Sequence, residues 1–149
     1  MEKPVVLLVD DNEATCTLIT ALLRSEFLVD IASDGGEAIE KLKSRRYAAI
    51  LLDLLMPVVD GYSVLEYLSA ERPDLLRRVL VVTASLSPRE MQRVRTYDIC
   101  GIVAKPFEVD ALFNAVRNCA GRDPESLPLR GPLLSSGVIL LLAELVKRV

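Results

Sequence analysis

The sequence predicts an α/β fold, a doubly wound five-stranded parallel sheet, followed by a C-terminal helical extension. Three observations carry this. Short apolar runs alternate five times with amphipathic segments of helical period, which is the β-α repeat of a parallel sheet with helices on both faces. The runs are almost continuously apolar rather than alternating, as expected of strands covered on both faces. Acidic, hydroxyl or basic residues stand at the ends of four of these runs, at Asp10 and Asp11, Asp53, Thr83 and Lys105. In open α/β sheets, ligands bind outside the carboxyl ends of the strands, so those are the ends where chemistry belongs.

Taken in order, Pro4–Asp10 (PVVLLVD) is a short run rich in β-branched residues that ends in acids. A helix follows over 12–24, with Leu18, Ile19 and Leu22 on one face and Asp11 or Asn12 able to cap it. Phe27–Ala32 is the second strand, and 34–44 a helix presenting Ala38, Ile39 and Leu42. Ala48–Leu52 is the third strand, and a loop with Pro57 and Gly61 leads to a helix over 62–70. Val79–Thr83 is the fourth strand, Ser87 starts a helix over 88–98, Ile99–Ala104 is the fifth strand and Val109–Ala120 the last helix of the unit. Residues 1–120 therefore form one domain. Residues 121–132 carry two Gly and three Pro and read as a linker, and 133–149 as an apolar helix.

Composition narrows the chemistry. The 149 residues are 51% hydrophobic and 26% charged, a globular balance. The net charge of −3 offers no electrostatic case for direct nucleic-acid binding or for an anionic membrane. The N-terminus meets acids too early for a signal peptide, and no run reaches the roughly 18 apolar residues of a membrane span. Cys16, Cys100 and Cys119 lack CxxC spacing and are expected to be free or buried thiols in a reducing compartment, the cytoplasm. There is no histidine, which removes Ser-His-Asp and Cys-His catalysis and imidazole metal sites.

What remains is carboxylate chemistry. Asp10, Asp11 and Asp53 would repel one another at one small site unless a cation compensates. A hard divalent ion with oxygen ligands, Mg²⁺ above all, answers that need. Lys105 adds a compact positive charge and Thr83 a hydroxyl for an oxyanion. Such a set suits formation of an aspartyl phosphate. Singly, each residue has a plainer reading as a helix cap, a turn residue or a strand former; the convergence of four strand ends is what favours a site.

The segments "LLVDDN" (7–12), "LLDLLMPVVDG" (51–61), "VVTAS" (81–85) and "KPF" (105–107) together resemble the receiver domain of bacterial two-component response regulators, over residues 4–120. The resemblance implies a flavodoxin-like sheet of strand order 2-1-3-4-5 and phosphoryl transfer from a sensor histidine kinase or phosphotransfer protein. It makes Asp53 the phosphoacceptor, with Thr83 the switch hydroxyl and Lys105 the phosphate-pairing lysine. Asp10, Asp11, Asp53 and the Leu55 carbonyl would hold Mg²⁺, Asp10 largely through water. It implies autophosphotransfer and slow self-dephosphorylation rather than conventional enzyme turnover, and action through a downstream protein. A homodimer through the 88–98 helix, fifth strand and 109–120 helix, or through the C-terminal helix, is one further expectation.

Three positions depart from that family. Ile102 stands where receivers usually place an aromatic residue, Asp98-Ile99 replace a Gly-Ala pair, and Leu55 puts an apolar side chain at the mouth of the site. The alternatives are a pseudo-receiver that binds without being phosphorylated, and the N-terminal part of a longer response regulator with an output domain. A phosphatase of the haloacid dehalogenase type would need an acid at position 55. The helix over 88–98 has few apolar residues, chiefly Met91 and Val94, and is expected to be weakly anchored.

Overall fold

The computed structural model describes residues 2–56, 60–84 and 86–121. Five parallel strands, β1 (Val5–Val9), β2 (Leu28–Ala32), β3 (Ala49–Leu52), β4 (Val79–Thr83) and β5 (Gly101–Ala104), form one sheet of order β2-β1-β3-β4-β5. The helices are α1 (Glu13–Leu23), α2 (Gly35–Ser44), α3 (Gly61–Glu71), the short α4 (Pro73–Leu76), α5 (Pro88–Arg95) and α6 (Val109–Cys119). Apart from Gly121, the linker over 121–132 and the helix over 133–149 lie outside the described residues, as do Pro57 and Ser85.

The pleat explains why the strands read as unbroken apolar strings. Successive side chains point to opposite faces, so a strand covered on both sides must be apolar at every position. Leu7 and Val9 of β1, Ile50 and Leu52 of β3, and Val79 and Val81 of β4 enter one core with Ala38 and Leu42 of α2 and Val64, Leu65 and Leu68 of α3. Val6 and Leu8, Ala49 and Leu51, and Leu80 and Val82 enter the other, with Ile19 and Leu23 of α1 and Leu112 and Val116 of α6. Each fully buried aliphatic side chain contributes roughly 1.5–3 kcal/mol of transfer free energy, so both layers are needed.

The edge strands depart from this pattern. On β2, Leu28 and Ile31 are exposed, and Asp30 interrupts the apolar run. Asp30 accepts hydrogen bonds from Lys41 Nζ at 2.6 Å and Tyr47 Oη at 2.7 Å. Burial works against its charge, but these two bonds win and hold its carboxyl below the usual range. A charge held there also blunts an open edge. β5 is only partly buried.

Helix starts follow local chemistry. Asn12, Asp34 and Asp60 accept from the third N–H of α1, α2 and α3, and Ser87 with Glu90 forms a capping box on α5. Several ends differ from the sequence expectation, most by one residue, and β5 starts at Gly101 rather than Ile99. Pro73 opens the unpredicted α4, and α5 stops at Arg95 because the Thr96 hydroxyl turns back to the Arg93 carbonyl, at 2.7 Å. α5 is lightly held, as its few apolar residues predict. Only Val94 is buried in it, while the Arg93 guanidinium lies 3.8 Å from the Tyr62 ring centroid on α3. Tyr97, just beyond its end, hydrogen-bonds Glu66, also on α3. These polar contacts add to the little that apolar burial supplies.

The expectation of three thiols is corrected in part. Cys16 is a buried free thiol, but Cys100 and Cys119 form a disulfide. The end of α6 packs back beside the start of β5, bringing two Cα atoms 19 residues apart to 5.7 Å.

Candidate functional site

The carboxyl ends of β1, β3, β4 and β5 meet at one edge of the sheet, and sheet-type hydrogen bonds run one residue past the strands to fix them there. The Asp10 N–H donates to Ala32 O at 3.1 Å, Asp53 N–H to Val9 O at 3.0 Å and Lys105 N–H to Thr83 O at 2.8 Å. Asp10, Asp53, Thr83 and Lys105 are thus set by strand register, while Asp11 and Leu55 lie just beyond, in the connections that follow β1 and β3. The Lys105–Pro106 peptide is cis.

Asp10, Asp53 and Thr83 are buried and Asp11 is exposed. One oxygen from each of Asp10, Asp11 and Asp53 lies within 4.8 Å of the others. Asp53 Oδ1 accepts from Thr83 Oγ1 at 2.9 Å and from the Leu55 N–H at 3.1 Å. Asp10 Oδ1 accepts from the Asn12 N–H at 2.9 Å. Lys105 Nζ donates to Asp10 Oδ2 at 2.7 Å and stands 3.5 Å from Asp53 Oδ2. The lysine is therefore bound chiefly to Asp10, leaving Asp53 Oδ2 without a short hydrogen bond.

Burial pushes the Asp53 carboxyl above its ordinary range, and the charge of Asp10 adds to this. The Leu55 N–H, Lys105 and Thr83 pull the other way. Among the described residues three carboxylates face one ammonium, and like charges this close repel one another unless more positive charge compensates. Their donor set is hard oxygen throughout, which fits a divalent cation of the Mg²⁺ kind. Beside the site, burial first and Asp10 second raise the Cys16 thiol to about 11, and its Sγ donates to the Asp10 carbonyl at 3.4 Å. Cys16 is thus an inert packing group and no nucleophile.

The mouth is open. Leu55 is 50% exposed and Ala84 is exposed. Ile102 lies outside the carboxylate cluster, partly buried against the α2–α3 core. One residue the site depends on is absent from the sequence expectations except as a loop glycine. At Gly61 a Cβ would lie 2.4 Å from the Asp53 carbonyl oxygen and 2.7 Å from Leu54 Cα, so only glycine lets α3 start against the backbone that carries Asp53. The Asp-Gly pair after the 51–56 run was its signal in the sequence.

Comparisons with known proteins agree with this geometry. The family described as response regulator receiver domain matches residues 6–117. A response regulator of Synechocystis sp. is 32% identical over 130 residues, 85% of this chain and 56% of that protein. The receiver domain of a Pseudomonas aeruginosa sensor histidine kinase, solved with a magnesium ion coordinated in its active-site cleft, is 30% identical. It superposes with a TM-score of 0.72 over 80% of this chain and 99% of that one. A Vibrio cholerae chemotaxis protein is 25% identical with a TM-score of 0.70, covering 79% and 99%. The chain spans less than two thirds of the length of the full-length relatives it matches, 59% in a probable transcriptional regulator of Porphyra purpurea.

Proposed function

Because this chain belongs to the response regulator receiver domain family, we propose that it is a phosphorylation-dependent switch that accepts a phosphoryl group on Asp53. The observation that supports this best is the asymmetry at Asp53. One carboxylate oxygen is held by Thr83 and the Leu55 N–H, while the other has no hydrogen bond shorter than the 3.5 Å approach of Lys105. The held oxygen orients the group, and the other is free to attack.

In this reading Asp53 Oδ2 attacks the phosphorus of a phosphohistidine on a sensor kinase or phosphotransfer protein. The new O–P bond forms as the P–N bond breaks, and the imidazole leaves with the electron pair. Lys105 swings from Asp10 to the new phosphoryl oxygens, and Thr83 exchanges the carboxylate for one of them. Phosphorylation adds roughly −1.5 to −2 charge, enough to redraw these two bonds. Since Thr83 ends β4, its movement would pass to the segment leading into α5, and the cap of α5 and its Arg93–Tyr62 contact with α3 are what that movement would alter.

Asp10, Asp11, Asp53 and the Leu55 carbonyl would hold Mg²⁺. When bound, the ion supplies charge neutralisation for the phosphoryl oxygens. No helix among the described residues is long and apolar enough to cross a membrane, and we place the protein in the cytoplasm with its kinase donor. Its output would be a protein contact, made alone, through a homodimer on the α5–β5–α6 face, or through an output domain of a longer chain.

The test is incubation with Mg²⁺ and acetyl phosphate or phosphoramidate, read by intact mass. A gain of one phosphate is expected in the wild type and none in Asp53→Ala; no gain with any donor would favour the pseudo-receiver reading. A second outcome concerns lifetime. Leu55 stands two residues after Asp53 and is 50% exposed, and in this reading its apolar side chain hinders the attacking water. Leu55→Asn is expected to shorten the phosphorylated half-life by roughly tenfold, a barrier change of about 1.4 kcal/mol. An unchanged half-life rejects this role for the leucine.

A further inference from the structure

The disulfide stands apart from the phosphoryl site and nothing in the mechanism uses it. Cys100 directly precedes β5 and Cys119 ends α6, so their bond closes a covalent ring of residues 100–119 that contains all of β5, Lys105 and all of α6. Two features of this ring matter. β5 pairs with β4 alone, making it an edge strand that is only partly buried. The last turn of α6 is also held from its other side, where Arg117 bonds Glu26 through Nε at 3.0 Å and Nη2 at 2.5 Å. With the bond open, that ion pair and the apolar contacts of α6 still keep the helix on the sheet.

We infer that Cys100 and Cys119 are a reversible redox site, a dithiol that opens and closes by exchange with low-molecular-weight thiols and disulfides and so sets how firmly the β5–α6 unit is held. Both sulfurs lie against the α1–α6 core, Cys119 within it and Cys100 packed beside it, so as thiols they are ordinary small apolar groups. Opening therefore strands no buried charge. The fold also has two full apolar layers, unlike the small domains that depend on disulfides for a core. In a reducing compartment a disulfide on such a domain is transient and redox-responsive; this step rests on the cytoplasmic placement proposed above.

The exchange balances simply. A small-molecule thiolate attacks the sulfur of Cys100, the more exposed of the two residues, and the Cys100–Cys119 bond breaks with the electron pair leaving on Cys119, which takes a proton. A second thiolate attacks the small-molecule sulfur of the mixed disulfide and releases Cys100. The net change is one protein disulfide and two thiols to one protein dithiol and one small disulfide. Cys16, a buried free thiol, takes no part.

The whole chain is equilibrated, folded, in mixtures of reduced and oxidised glutathione, then quenched in acid, unfolded in denaturant, alkylated and weighed. The expected result is a smooth transition between one and three alkylated thiols as the mixture is made more reducing, unaltered in direction by Cys16→Ala and abolished by Cys100→Ala or Cys119→Ala. The oxidised form should unfold less readily than the reduced form by on the order of 100-fold in equilibrium constant, the loop-closure effect of a ring this size. The wild type in its two redox forms gives this comparison without any variant. A bond that stays closed in excess reduced glutathione would make it a permanent cross-link, and thiols that stay alkylatable in excess oxidised glutathione would make them mere neighbours; either overturns the inference. No phosphoryl donor is present, so the outcome is independent of whether Asp53 is phosphorylated.

Discussion

Lys105→Met is expected to lower the metal-free melting temperature by roughly 10 °C and to make Mg²⁺ bind more tightly. Among the described residues Lys105 is the one cation bonded to a cluster in which Asp10 and Asp53 are both buried. Removing one partner of a buried ion pair leaves the other uncompensated, a loss of about 3 kcal/mol at the low end of the range for such changes. For a domain of this size that loss corresponds to roughly 10 °C. Mg²⁺ competes with the ammonium for Asp10, so the variant should bind it about tenfold tighter and recover much of its stability on saturation. Phosphoryl uptake should nevertheless fall, because the transferred group then loses its ammonium partner. Thermal melts with and without Mg²⁺, and calorimetric titration, check both signs. Equal melting temperatures would mean that Lys105 does not neutralise the cluster.

Gly61→Ala is the second large effect, and its sign is informative. Within an ordinary helix this substitution stabilises by up to about 1 kcal/mol. Here the added methyl meets the backbone of Asp53 and Leu54 at 2.4 and 2.7 Å, atoms that cannot rotate away. The 53–61 connection must shift, at a cost of roughly 2–3 kcal/mol. The displaced residue is Asp53 itself, so phosphoryl uptake should drop well beyond the fraction unfolded. Denaturant unfolding and the acetyl phosphate mass assay, run on the same sample, separate the two effects. A neutral or stabilised variant with full uptake would show that α3 can retreat freely.

The sheet and the site were legible for the same reason. A strand covered on both faces has no choice of residue type, so β1, β3 and β4 stand out as apolar strings, and an acid or hydroxyl closing each string is conspicuous. The edges were less legible because β2 holds Asp30 through Lys41 and Tyr47, which are 11 and 17 residues away. Spacing brought Lys105 to the carboxylates but could not say that Asp10, not Asp53, is its short partner. The four-residue α4 is too brief for any periodicity, although Pro73 at its start was a signal. The polar contacts of α5 with α3 escaped a search for apolar faces because Arg93, Tyr62, Tyr97 and Glu66 make them. The disulfide depends on where α6 ends against β5, which no local pattern records.

The division of each central strand between two cores has a consequence for how this chain tolerates change in length. In β1, β3 and β4, odd and even positions address different layers, and the strand ends address the site. Inserting one residue within β3 would exchange the two addresses, sending Ile50 and Leu52 toward α1 and α6 and carrying Asp53 a step beyond its bond to Val9. The strands therefore behave as a reading frame. Gains and losses of single residues should be tolerated best in the connections at the opposite ends of the strands from Asp53, where nothing is counted from the strand end.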